Sequence, residues 1–184
     1  MAAKAVSLEP QMAASMTGTL AQAAAGDEAA FALLLRQHQR MVFSIAWNFF
    51  GDRSAAEDLA QEVFVQMFQS LRAIESDSHL VFWLRQVTTR KCIDHYRWRL
   101  KRKHIALDDW VEEGATPESP DHMALGRVSN LVRGLPEKFR AVVVLRYQED
   151  MEPTQIAASL GWPVNTVKSR LHRALQMLKD RLEK

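Results

Sequence analysis

PTQIAASLGWPVNTVKSRLHRALQMLKDRLEK, residues 153–184, is the stretch on which the fold class turns. Ile156, Ala157 and Leu160 form the inner face of a short helix, and Ala157 and Gly161 are small where two helices would cross closely. Gly161 permits a left-handed turn, and Pro163 marks the start of the next helix. Val164, Val167, Leu171, Leu175 and Leu178 then give that helix an apolar stripe. Small residue, turn glycine and apolar positions coincide at helix-turn-helix spacing. The second helix turns Asn165, Thr166, Lys168, Ser169, Arg170, His172 and Arg173 outward. A recognition helix sets its N-terminal residues against base edges, while basic side chains hold phosphates. Asn165, Thr166, Lys168 and Ser169 suit the first role by position, and Arg170 and Arg173 suit either. A protein-interaction hairpin with a solvated basic face is the alternative reading of the same residues.

Upstream, Gly134-Leu135-Pro136 breaks the chain, and Pro136 opens a helix carrying Phe139, Val142, Val143, Leu145 and Tyr147. A further apolar-periodic helix begins near Met123 and runs through Leu125, Val128, Leu131 and Val132. Residues 105–122 have no apolar period and hold two prolines and six acids, which predicts a flexible linker. Before it lie three helical patterns. Phe31, Leu34, Leu35, His38, Met41, Val42, Ile45, Ala46 and Phe49 recur at three- and four-residue steps until Gly51. Asp52 or Ser54 caps a second helix with apolar face Ala55, Leu59, Val63, Phe64, Met67, Phe68 and Leu71. A polar break at residues 75–79 precedes a third, through Leu80, Trp83, Leu84, Val87, Ile93 and Tyr96. The expected architecture is all-α: an N-terminal extension (1–26), a helical domain (27–104), an acidic linker (105–122) and a helix-turn-helix domain (123–184).

Charge is segregated along this frame. The 184 residues carry 24 basic and 22 acidic side chains, for a formal net charge of +2. Residues 85–104 sum to +7, residues 105–125 to −6 and residues 126–184 to +5. Two basic surfaces parted by an acidic segment are the pattern of a chain that meets a polyanion at two places. One cysteine, Cys92, excludes an internal disulfide, and Cys92 with His95 falls short of a closed metal site. The first residues lack a signal peptide's basic start and compact apolar core, which points to a cytoplasmic protein. No nucleophile–base–orienter set and no phosphate-cradling glycine loop appears, so neither catalytic residues nor a cofactor or metal is expected.

Three stretches, in order, resemble the bacterial sigma factors of the extracytoplasmic-function (ECF) type. AAEDLAQEVFVQMFQSL (55–71) is similar to the family's polymerase-binding helix, and FWLRQVTTRKCIDHYRWRLKRK (82–103) to its promoter-melting helix. LPEKFRAVVVLRYQEDMEPTQIAASLGWPVNTVKSRLHRALQML (135–178) is similar to its minus-35-reading domain. The resemblance implies a non-catalytic specificity subunit that binds core RNA polymerase and directs it to promoter DNA. It implies that Asp58, Gln61 and Glu62, at i, i+3 and i+4, engage the polymerase clamp. Carboxylates and an amide on a rigid helix suit a basic coiled coil. It places minus-10 contacts on Ser76, Ser78, His79, Phe82, Trp83, Arg85, Gln86, Thr89, Arg90, Lys91 and Arg97. There an aromatic ring stacks on unpaired bases, Gln86 and Thr89 reach a base-pair edge, and the cations neutralise phosphates. Of the adjacent aromatics, Trp83 is expected mainly in the core and Phe82 more exposed. Ser78-His79-Leu80 stands where the family usually has an aromatic or proline, and the N-terminal 26 residues have no counterpart in the minimal family. These are expected to be flexible or to contact a regulator. An anti-sigma factor is the further partner implied. A conventional dimeric helix-turn-helix regulator accounts for residues 135–184 but leaves the aromatic-basic helix and the Asp58 face idle. A nucleic-acid-modifying enzyme using His and carboxylates is the other alternative.

Overall fold

The computed structural model describes residues 18–103 and 128–183, apart from the side chains of 99–103. The predicted linker at 105–122, the helix start at Met123 and the side chains of Arg99, Lys101, Arg102 and Lys103 lie outside the described residues. Among the described residues every regular element is helical. The first module comprises α1 (residues 18–24), α2 (Glu28–Phe50), α3 (Arg53–Ser70) with a 3-10 turn at Leu71–Ala73, and α4 (Asp77–Lys103). The second comprises α5 (residues 128–133), α6 (Glu137–Val143) continuing into a π turn (Val144–Gln148), α7 (Pro153–Leu160) and α8 (Val164–Leu182).

Short polar residues fix where the helices of the first module begin. The Asp27 carboxylate accepts from the Ala29 and Ala30 amides, at 2.9 and 3.0 Å, and so caps α2. Of the two candidate caps for α3, Asp52 is used: its Oδ1 accepts from the Ala55 amide at 2.6 Å. Gly51, at φ +68°, supplies the left-handed residue that closes α2 between them. The α2–α3 hairpin packs on α4, and Leu34, Val42, Ile45 and Phe49 of α2 meet Leu59, Val63, Met67, Leu80 and Leu84 in one core.

Of the N-terminal extension expected at residues 1–26, residues 1–17 lie outside the described residues, and residues 18–24 form the helix α1. Leu20 and Ala23, three residues apart on α1, are both buried in the core, and that burial holds the turn in place. The apolar face of α3 is also rotated relative to expectation. Ala56 and Ala60 are buried beside Leu59 and Val63, whereas Phe68 is 58% exposed. Phe68 instead meets Phe31 edge-on, at 5.2 Å between centroids, over an apolar cleft between α2 and α3.

In the second module Ala141 to Leu145 are all buried. The π turn ends where the Met151 amide donates to the Leu145 carbonyl and Asp150 takes φ +51°. Tyr147 is expelled to the surface by this turn rather than joining the core. Ile156, Ala157 and Leu160 pack against Val167, Leu171 and Ala174, and Gly161 is left-handed at φ +69°, as the sequence requires. Ala174 takes the place in the buried stripe that the spacing gives to Leu175, which is exposed. The two modules touch: α6 and α7 both pack against α4.

Candidate nucleic-acid interface

On α3, Asp58, Gln61 and Glu62 are exposed together on the face opposite Leu59 and Val63. Glu62 accepts an ion pair from Lys91 of α4, Nζ to Oε2 at 2.9 Å. The pair is half-exposed, so it contributes at most about 1 kcal/mol. It does mean that Lys91, expected on DNA, here lies beside the acidic face.

The expected polar break at 75–79 is shorter than the sequence implied, because Ser76 caps α4 and draws Asp77, Ser78 and His79 into its first turn. The Ser76 hydroxyl accepts from the His79 amide at 3.1 Å and lies 3.1 Å from the Ser78 hydroxyl. The His79 Nδ1 accepts from the Glu75 amide at 3.4 Å. Beneath this turn His38 is buried on α2, its Nε2 without a hydrogen-bond partner, and burial lowers its pKa against the opposing pull of Asp77. Along α4, Phe82 and Trp83 are both half-buried against the core, so the expected contrast between them is small.

The remaining α4 residues divide by face. Arg85 donates from Nε to the Glu149 carboxylate at 2.9 Å, and Glu149 is only 7% exposed. Gln86 donates from Nε2 to the Ser159 carbonyl of α7 at 2.7 Å. Thr89, on the same face, is wholly buried and its hydroxyl has no partner. Arg97 reaches Glu137 at 3.7 Å and Asp94 at 3.9 Å, and Arg90 is exposed. Arg85 and Gln86 are therefore turned toward the second module rather than to solvent, and Thr89 is out of solvent's reach.

Spacing alone did not single out the groups that answer them. Arg140 is 2% exposed; its guanidinium donates to the carbonyls of Phe49, Arg133 and Leu135 and lies over the Tyr96 ring at 4.8 Å. Burial lowers its pKa, partly offset by the Tyr96 hydroxyl. Asn48 donates to Gln148, and Arg133 overlies the Trp47 ring at 5.6 Å. A basic residue deep in a helical face is the one sequence signal these contacts leave, and an arginine there is ordinarily read as surface.

On α8, Asn165, Lys168, Ser169, His172 and Arg173 are exposed and Thr166 is half-exposed. The Ser169 hydroxyl donates to the Thr166 carbonyl at 3.0 Å. Arg170 differs from its neighbours: its guanidinium stacks on Trp162 of the turn, 4.0 Å from the ring centroid, and burial lowers its pKa. The face that remains open is cationic and polar at the N-terminal half of a helix, which is chemistry suited to a duplex groove.

Residues 34–103 match the family Sigma-70 region 2, and residues 125–178 match Sigma-70, region 4. The chain is 35% identical over 177 residues to the ECF RNA polymerase sigma factor SigE of Mycolicibacterium smegmatis, covering 91% of this chain and 68% of that one. Over 174 residues it is 29% identical to the ECF RNA polymerase sigma factor SigW of Bacillus subtilis, with 85% and 91% covered. With these two modules in this order, the chain belongs to the ECF sigma factors. Its function is promoter-specific transcription initiation, directed as a sigma factor bound to RNA polymerase. Among solved structures it is similar to CnrH in complex with the cytosolic domain of CnrY: TM-score 0.68, 25% identity, 92% of this chain and 97% of that one. It shares the fold of the sigma factor RpoE, solved with the anti-sigma factor NepR from Bartonella quintana, at TM-score 0.70 and 21% identity over 83% and 96% of the two chains.

Proposed function

We propose that the three residue sets divide the work of initiation between three helices. Asp58, Gln61 and Glu62 on α3 dock core polymerase. Ser76, Ser78, His79 and the α4 side chains from Phe82 to Arg97 hold the minus-10 element, and the open face of α8 reads the minus-35 element. The protein performs no chemistry of its own and works in the cytoplasm. Among the described residues no helix is long and apolar enough to cross a membrane, and none of their His, Cys, Asp and Glu side chains group as a metal site.

The observation that carries the division is the separation of charge by helix. The acidic side chains of α3 stand on a rigid, solvent-facing surface beside cationic α4, and a phosphate backbone would be repelled from the first while attracted to the second. An anti-sigma factor is a partner by the same reading, since the sigma factor RpoE, which shares this fold, was solved with the anti-sigma factor NepR, and CnrH with the cytosolic domain of CnrY.

Reconstitution with core polymerase tests the assignment. Asp58→Ala with Glu62→Ala is expected to weaken core binding at least tenfold while costing the chain no more than the roughly 1 kcal/mol of the Glu62–Lys91 pair. Unchanged affinity for core would remove α3 from the docking surface.

A further inference from the structure

We propose that His38 and Asp77 form a polar pin between α2 and α4 that sets the rotation of the first turn of α4, which makes His38 a positioning residue for minus-10 recognition. The inference rests on the assignment of Ser76, Ser78 and His79 to the minus-10 element.

The pin stands where two apolar stripes meet. On α2, Leu34, Val42, Ile45 and Phe49 are buried, and His38, only 7% exposed, falls in register with them. On α4, Asp77, Leu80 and Leu84 are spaced at i, i+3 and i+7, so the face that buries both leucines begins with an acid. The two helices pack on each other. One imidazole and one carboxylate are thus set into the core that these aliphatic side chains build. His38 Nε2 and Asp77 Oδ1 are both closed off from solvent without a hydrogen-bond partner, and Asp77 is the carboxylate that attracts the imidazole. A buried donor and a buried acceptor left unpaired each cost free energy, and one shared hydrogen bond removes both costs. Nε2–H to Oδ1 is that bond, and χ2 of each side chain, a broad torsion, is the degree of freedom that closes it.

A polar pair within an apolar contact specifies register more than it adds stability. Leucine packing alone has no direction, and it would let the end of a helix roll about its own axis. With Asp77 drawn inward, Ser78 and His79 are both turned to solvent, and the Ser76 hydroxyl is left to cap the His79 amide. Those are the side chains assigned to the minus-10 element. His38 is too deeply buried to touch DNA itself, so it acts on recognition through the turn that Asp77 begins.

The test uses full-length variants with core polymerase, at a promoter that the unmodified chain selects from sheared genomic DNA. Discrimination is read as the transcript ratio between that promoter and copies substituted one base at a time, a ratio that cancels any loss of folded protein. His38→Leu is expected to lower minus-10 discrimination at least fivefold while minus-35 discrimination stays within twofold. His38→Gln, which keeps a side-chain N–H, is expected to hold minus-10 discrimination within twofold of the unmodified chain. His38→Leu combined with Asp77→Leu removes the pin but keeps the packing, and it is expected to lose discrimination as the single variant does. Unchanged minus-10 discrimination in the leucine variants overturns the proposal, and so does equal loss at both elements or a glutamine variant no better than leucine. A second arm needs no promoter: in the full chain labelled with nitrogen-15 histidine at neutral pH, the His38 Nε2–H resonance is expected to be protected from exchange with water, and Asp77→Ala to abolish that protection. A His38 resonance that Asp77→Ala leaves unmoved overturns the pin. If the unmodified chain selects no promoter with core, the assignment of the minus-10 residues fails instead, and the histidine resonance still decides whether the pin exists.

Discussion

Gly51 sits where two demands meet, and replacing it with alanine separates them. Its φ of +68° is a left-handed conformation that costs an L residue about 1–2 kcal/mol. That term acts within α2 and is present whether the modules are together or apart. The second term comes from the second module: a Cβ on residue 51 would stand 2.8 Å from Arg133 Cδ and 2.9 Å from its Nε. Arg133 must then leave the Trp47 ring that it overlies at 5.6 Å, forfeiting a cation–π contact of about 0.5–1 kcal/mol at a partly exposed site. Gly51→Ala should therefore destabilise the chain by about 1.5–3 kcal/mol in total. In an Arg133→Ala background the same change should cost only the backbone share, about 1–2 kcal/mol. Urea unfolding of the four chains, followed by tryptophan fluorescence, gives both numbers and their coupling energy. A coupling indistinguishable from zero would refute the contact between Gly51 and Arg133, and with it this part of the packing between the two modules. A cost below about 0.5 kcal/mol in either background would refute the left-handed cap.

Four further outcomes follow from single side chains. Burial holds the His38 pKa down, so its folded state binds fewer protons than the unfolded chain; stability should be complete above the unfolded imidazole pKa of about 6.5 and erode as pH falls below it. Urea midpoints between pH 5 and 7.5 should show that slope and His38→Leu should flatten it; an unchanged slope would mean another group is responsible. Cys92 is buried and its thiol pKa is pushed far up, so a thiol reagent should label it only as fast as the protein unfolds; prompt labelling in native buffer would contradict its burial. Lys168→Ala should weaken minus-35 discrimination with the urea midpoint unmoved. Arg170→Ala should lose discrimination and also about 0.5–2 kcal/mol of stability, through its place on Trp162, and equal midpoints for the two variants would show that the stack contributes nothing.

Much of this fold is legible in the sequence because its signals are local. Capping acids, a glycine after an apolar period and the small-residue crossing at Ala157 each act within a few residues of themselves, and the structure uses all three. What spacing misplaced was rotation. Ala55 and Ala56 are chemically identical, so nothing in a hydropathy pattern says which of them faces the core, and Phe68, in period with Phe64 and Leu71, reads as buried from spacing although it is exposed. Leu175 and Ala174 were exchanged for the same reason: size suggested leucine, whereas close helix packing selected alanine. The contacts between the two modules are invisible to spacing for a different cause. Arg85 and Glu149 are 64 residues apart, and Asn48 and Gln148 are 100 apart; polar side chains carry no mark of the partner they will meet. Charge counting placed the basic residues on α4 but not the direction they face, which depends on a second module packing alongside.

The π turn at Val144–Gln148 acts as a phase shifter. Its wider loop closes with the Glu149 amide donating five residues back, to the Val144 carbonyl, at 3.2 Å. One residue more than an α turn fits into the same coil, so every side chain beyond it is re-indexed by about 100° relative to a continuous α-helix. Gln148 and Glu149 meet α2 and α4 from that offset position. The thread of α6, and not the identity of its last residues alone, therefore aims the acid at Arg85. Chain length within one turn becomes a separate adjustable quantity, able to turn the Gln148–Glu149 pair away from the first module while leaving every residue of α8 as it is.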